Sequence, residues 1–105
     1  MKNTIKRLIR FRDDRNWKQF HTPSNLAKSI VLEASELLEN FQWDENNVDL
    51  ENIKHELADV MAYCLLLSEH YNLDIETILN EKIDLNEKKY PINKAYNTAK
   101  KYTEL

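Results

Sequence analysis

The sequence predicts an all-α fold, a bundle of four to five helices completed by self-association. Three observations lead there. The 105 residues include no glycine and only two prolines, whereas glycine makes up ~7% of an average chain, and most short β-hairpins need it in their turns. Apolar residues recur at spacings of three and four, the period of a helix with one buried face. The stretches between are polar, with Asp, Asn or Pro where helices start and stop.

The elements follow in order. The first helix spans about residues 3–15, with Ile5, Leu8, Ile9 and Phe11 as its apolar positions. Residues 16–23 form a loop. Pro23 or Ser24 opens the second helix, since proline's fixed φ and missing N–H suit a first turn. That helix runs to about Gln42, and its stripe of Leu26, Ile30, Ala34, Leu37 and Phe41 is spaced four, four, three and four. A polar loop over residues 44–49 ends at Asp49, a natural N-cap for a third helix from Leu50 to about Tyr71. Leu50, Ile53, Leu57, Val60, Met61, Cys64, Leu65 and Leu67 give this helix a broad apolar face. Asp74 caps a fourth helix over residues 75–89, where Ile75, Ile78, Leu79, Ile83 and Leu85 are candidates for burial, and Pro91 stops it. The basic, tyrosine-containing tail, residues 92–105, is expected to be partly helical.

The totals exclude several function classes. A P-loop or a GxGxxG fingerprint needs glycine to bring backbone amides against phosphate. A net charge of −3 argues against duplex nucleic acid as the main partner. The longest apolar run, residues 60–67, is far short of the ~20 residues of a membrane span, and the first 14 residues lack the apolar stretch of a signal peptide. With Cys64 as the one cysteine there is no internal disulfide framework. A single soluble domain over residues 1–105, cytoplasmic and without a membrane partner, is expected. Its core is modest for its length, which favours a homo-oligomer.

Two acidic pairs carry the chemistry. Glu33 and Glu36 lie mid-way along the second helix, and Glu56 and Asp59 in the first half of the third. A spacing of three puts both members of a pair on one helix face. At ~100° per residue, Glu33 falls about 20° from Leu26 on the wheel, at the edge of the apolar stripe, and Glu36 about 60° further out. Glu56, Asp59 and Tyr63 share one flank beside the apolar arc of the third helix. In an antiparallel hairpin the two pairs face each other. Like charges that close repel and raise one another's pKa; a divalent cation resolves the conflict, and all-oxygen donors favour Mg²⁺ or Mn²⁺. Taken one pair at a time, such acids are more often ordinary solvated surface charge, as Glu39 illustrates.

The aromatic residues add to this. Trp17-Lys18-Gln19-Phe20-His21 occupies the first loop, and Trp43 ends the second helix. Aromatics at element ends either stack on a base or plug the bundle. His55 and His70 lack partners at zinc spacing, and Cys64 reads as a small core residue. Lys82, Asn86, Lys88, Lys89, Lys94, Lys100 and Lys101 recur through the last third of the chain, suited to phosphate contact by side chains or to plain solvation. The residues alone leave open a non-catalytic helical interaction module, with the tryptophans as anchors. A chorismate-mutase-like helical enzyme fits less well, because its substrate class calls for cations.

The motifs resemble a known family. Glu33-x-x-Glu36, 19 intervening residues and Glu56-x-x-Asp59 look like the ExxE…ExxD signature of the MazG-type, all-α nucleoside triphosphate pyrophosphohydrolases. Residues 15–26, RNWKQFHTPSNL, resemble the entry segment of the dCTP pyrophosphatase branch. Glu36-Leu37 through Phe41-Gln42-Trp43, the NEKKYP of residues 86–91 and the KKYTEL of residues 100–105 resemble its later segments. The resemblance implies a MazG-like bundle that hydrolyses a nucleoside triphosphate, dCTP or a related dNTP, to the monophosphate and pyrophosphate. By the same resemblance Glu33, Glu36, Glu56 and Asp59 match Mg²⁺ ligands and the catalytic centre, with Glu36 the candidate to activate water. Trp17, His21, Trp43 and Tyr63 match the nucleobase pocket, and Lys82, Asn86, Lys89 and the tail lysines match phosphate contacts. It further implies a dimer of dimers. Some dCTP-specific relatives offer a histidine to the base where this chain has Leu8.

Overall fold

Side-chain caps start three of the helices, and asparagine turns follow three of them. The structure, a computed structural model, describes residues 1–105. Its helices are α1 (Lys2–Asp14), α2 (Pro23–Glu39), α3 (Leu50–His70), α4 (Ile75–Lys89) and α5 (Ile92–Ala95), with 3-10 turns at Lys18–Phe20 and Tyr102–Glu104 and no strand. The all-α expectation holds. Contacts cluster into two compact units, Met1–Asn72 and Leu73–Leu105.

In the first unit, Thr22 caps α2 by accepting from the Asn25 N–H, with Pro23 at the first helical position. The Asp49 carboxylate accepts from the N–H groups of Glu51 and Asn52 at the head of α3. α2 packs along α3, and α1 lies against α3 over a shorter stretch. The hairpin is antiparallel: Asn40, just past α2, bonds Glu56 early in α3, whereas His21, just before α2, meets Tyr63 later in α3. Leu26, Leu65 and Leu66 form the buried apolar core of this unit.

The end of α1 shows how a chain without glycine turns. Asn16 has φ 54°, in the left-handed region that asparagine tolerates better than other side-chain-bearing residues. Its N–H donates to the Asp13 carbonyl at 3.0 Å, and the Trp17 N–H reaches back to the Arg12 carbonyl at 3.1 Å. These are the two bonds of a Schellman motif. The accompanying apolar contact is Trp17 edge-on to Phe11, with ring centroids 5.7 Å apart. Asn72 after α3 and Asn97 after α5 are the other positive-φ residues, so all three such turns use asparagine.

Three expectations are corrected. α2 ends at Glu39, not Gln42: the N–H groups of Asn40, Phe41 and Gln42 bond three residues back, which tightens the last turn, and Trp43 lies in the turn beyond. Leu79, Ile83 and Leu85 on α4 are more than half exposed, because within its own unit α4 has only a four-residue helix and a 3-10 turn for company. Leu50, Leu57 and Met61 on α3 are also exposed, since an apolar stripe is buried only where another element covers it.

Sequence reasoning missed the main polar tie of the core. Arg12 continues the Ile5–Leu8 row of α1 and is only 4% exposed. Its Nε donates to Asp13 Oδ1 at 2.8 Å and its Nη1 to Glu69 Oε2 on α3 at 2.9 Å. The Asp13 hydrogen bond opposes desolvation and, with Glu69, holds the guanidinium pKa above its ordinary value. The Glu69 bond clamps α1 to α3, while Asp13 is the next residue along α1 and half exposed. Glu69→Ala should therefore cost about 1.5–3 kcal/mol, the usual worth of a hydrogen bond to a charged group, and Asp13→Ala clearly less, because its carboxylate is open to solvent. Urea unfolding of the two variants measures this; equal losses would remove the clamp from the account.

Candidate active site

The α2–α3 hairpin brings the two acidic pairs together. Glu33 and Glu56 are half-buried, and Glu36 and Asp59 are exposed, in keeping with the wheel positions. Glu33 is the focus. Its Oε2 is buried without a hydrogen-bond partner. Desolvation, above all, raises its pKa; a hydrogen-bonding approach to Glu36 and the charges of Glu36, Asp59 and Glu56 add to this. All four carboxylates thus lie within electrostatic reach of one another.

No three of these side chains are grouped closely enough to hold a cation. Glu56 Oε2 accepts from Asn40 Nδ2 at 3.0 Å. The donor set still fits a hard divalent cation. It is all oxygen, and the buried Glu33 oxygen lacks the partner that such an atom ordinarily has.

The aromatic candidates divide. His21 and Tyr63 meet edge to face, with centroids 6.3 Å apart. Trp17 is engaged with Phe11, and the Arg15 guanidinium lies 3.8 Å from the Phe11 ring centre. Trp43 is 89% exposed, so it does not plug the bundle, and its indole faces are available for stacking. A cavity of about 170 Å³ opens beside His21, with Arg12, Lys18, Leu26, Leu66 and His70 among its walls.

Lys82, Asn86 and Lys89 belong to the second unit. They lie on α4 at spacings of four and three, which places them along one helix face. Two of the quoted motif segments meet in this unit: the Lys89 ammonium lies 4.8 Å from the Tyr102 ring centre, and Tyr90 packs edge-on against Tyr102.

His21 Nδ1 is buried and unpartnered. Burial first, and the Arg12 charge second, lower its pKa, so the ring is held neutral. The sign follows: a base with a depressed folded pKa loses nothing above its unfolded value, near 6.5, and penalises the folded state once the pH falls below it. The wild type should lose stability from pH 7.5 to 5 more steeply than His21→Gln, as read from unfolding free energies across that range. Parallel curves would show that His21 titrates as it does in the unfolded chain.

Comparison with known proteins follows these features closely. The chain is 34% identical over 111 residues to dCTP pyrophosphatase 1 from Homo sapiens and 33% identical to that from Mus musculus, in each case over 96% of this chain. It spans 65% of the length of these curated relatives. The crystal structure of a pyrophosphatase from Archaeoglobus fulgidus superposes with a TM-score of 0.79 at 38% identity, covering 87% of this chain and 92% of that one. A model of the MazG-like family matches residues 28–105, the span that holds both acidic pairs and both closing motifs. With the helical hairpin, the paired carboxylates and these likenesses together, the chain belongs to the MazG-like family.

Proposed function

We propose that this protein hydrolyses nucleoside triphosphates, dCTP or related dNTPs first among them, to the monophosphate and pyrophosphate. One observation carries the reading: a buried, unpartnered Glu33 oxygen beside three further carboxylates in a chain of the MazG-like family. The names of the relatives, dCTP pyrophosphatase and pyrophosphatase, support it.

Glu33, Glu36, Glu56 and Asp59 would hold Mg²⁺, with Mn²⁺ as the alternative. When bound, the cation supplies charge neutralisation for the triphosphate and makes water a stronger acid. Glu36, the more exposed member of its pair, orients the attacking water and takes its proton. The water oxygen bonds the α-phosphorus, the bond from that phosphorus to the α–β bridging oxygen breaks, and pyrophosphate leaves with that oxygen and the electron pair. Lys82, Asn86 and Lys89, along one face of α4, are the second unit's candidates for phosphate contact. Trp17, His21, Trp43 and Tyr63 hold the base, and Leu8, half-buried on α1, stands where some dCTP-specific relatives carry a histidine.

The same reading includes a homo-oligomer, a dimer of dimers. Val31, Leu32 and Leu38 on α2 are 64–67% exposed, and a shallow groove runs along Ser24, Ala27, Lys28, Val31 and Leu32. Apolar side chains grouped in this way mark an association surface. Cytoplasmic placement is proposed from cysteine usage, with Cys64 the lone, free thiol. No helix is long and apolar enough to cross a membrane.

Two measurements test this reading. Purified protein with Mg²⁺ should release pyrophosphate from at least one member of a panel of NTPs and dNTPs that includes dCTP. Glu36→Gln and Asp59→Asn should each lower kcat by at least about a hundredfold, the scale of a lost acid–base group, with unchanged helical circular dichroism. Silence across the panel would sink the hydrolase, and a fully active variant would remove that residue from the site. For the assembly, Val31→Glu with Leu38→Glu should lower the mass seen in sedimentation equilibrium; an unchanged mass would place the interface elsewhere.

A further inference from the structure

We propose that Asn40 is a positioning residue for Glu56, fixing which carboxylate oxygen is offered to a divalent cation. This deepens the preceding reading and rests on the four carboxylates being a metal centre.

Asn40 is the first residue beyond α2 and is half-buried. Its Nδ2 donates to Glu56 Oε2 at 3.0 Å. The same nitrogen lies 3.1 Å from the Leu37 carbonyl and 3.3 Å from the Glu36 carbonyl. An amide carries two hydrogens, so one serves Glu56 and the other is shared by the two carbonyls at the end of the helix. The side chain is thereby fastened to α2, and its remaining donor is aimed at α3. A single amide joins the backbone of one acidic residue, Glu36, to the carboxylate of another, Glu56.

This arrangement has consequences for ligation. With Oε2 engaged, Glu56 presents its other oxygen. A glutamate side chain loses substantial rotamer freedom when it is held, and the Asn40 bond accepts part of that loss before any cation arrives. The amide donor adds no charge to a crowded acidic site, and aspartate here could not substitute, because an ionised carboxylate only accepts. Metal-ligating carboxylates are generally held by such hydrogen bonds, and losing one typically weakens metal binding ~10–100-fold.

The competing role is plain helix capping through the Glu36 and Leu37 carbonyls, and the test separates the two. Mn²⁺ is titrated into the full chain and free Mn²⁺ is read by electron paramagnetic resonance, with no nucleotide present. Melting temperature is recorded separately in EDTA. Asn40→Leu, close in shape but without a donor, should bind Mn²⁺ at least about tenfold more weakly than wild type. Asn40→Gln, which keeps an amide, should recover part of the loss. Glu33→Gln serves as the control that marks loss of a ligand. If Asn40→Leu fails to fold, Asn40→Ala, with its high helix propensity, carries the same expectation. A lower melting temperature with Mn²⁺ affinity within twofold of wild type would reduce Asn40 to a cap and overturn the inference, leaving the metal centre standing. Wild type that binds Mn²⁺ no better than Glu33→Gln would overturn the metal centre and, with it, this role for Asn40.

Discussion

The seam between α2 and α3 is the constraint on which the first unit depends. Leu26, Leu65 and Leu66 are the buried apolar side chains of the chain, and burying each is worth up to about 1.5–3 kcal/mol. The same packing forces Glu33 to the edge of the core and sets Glu36, Glu56 and Asp59 around it. The fold therefore supplies the energy that holds like charges together. Loosening the hairpin would relieve the repulsion and lose the core; keeping it leaves a buried oxygen without a partner. A hard cation held by these carboxylates, as proposed above, would reconcile the two demands.

The missing glycines impose a second discipline. Backbone turns into the left-handed region fall to asparagine at residues 16, 72 and 97. At Asn16 the turn also fixes Trp17, through the back-bond to Arg12 and the contact with Phe11, so a structural device places a candidate base-binding residue. Phosphate recognition is subject to the same limit. A chain without glycine lacks the backbone cradle of a P-loop, so in the proposed function that work would fall to carboxylate-held cations and to lysine and asparagine side chains.

Legibility followed local chemistry. The bounds of α4 could be read directly because Asp74 and Pro91 are strong signals on their own, and the boundary position of Glu33 followed from wheel geometry. The end of α2 could not be read. Phe41 continues the apolar spacing, and only the Asn40 side chain folding back on the Glu36 and Leu37 carbonyls turns the chain away. That misplaced end hid Asn40 as a partner of Glu56. Arg12 was legible in principle, as a cation on the Ile5–Leu8 row, but its partner Glu69 lies 57 residues away, beyond any local pattern. The exposed faces of α3 and α4 were over-read because periodicity reports a stripe and is silent on whether anything covers it.

Lys89 illustrates how a structural contact and a proposed chemical role can coexist. Its ammonium rests over Tyr102, which itself packs on Tyr90, so the two closing motifs meet at one lysine. A cation–π contact at an exposed site is worth roughly 0.5–1 kcal/mol, whereas a hydrogen bond to a charged group is worth roughly 1.5–3 kcal/mol. The ring is strong enough to narrow the directions the long side chain samples and too weak to compete with a phosphate that comes within reach. If Lys89 meets a phosphate as proposed, Tyr102 would reduce the entropy it loses without withdrawing its charge, and a tail that looks like plain basic surface in the sequence would support that contact.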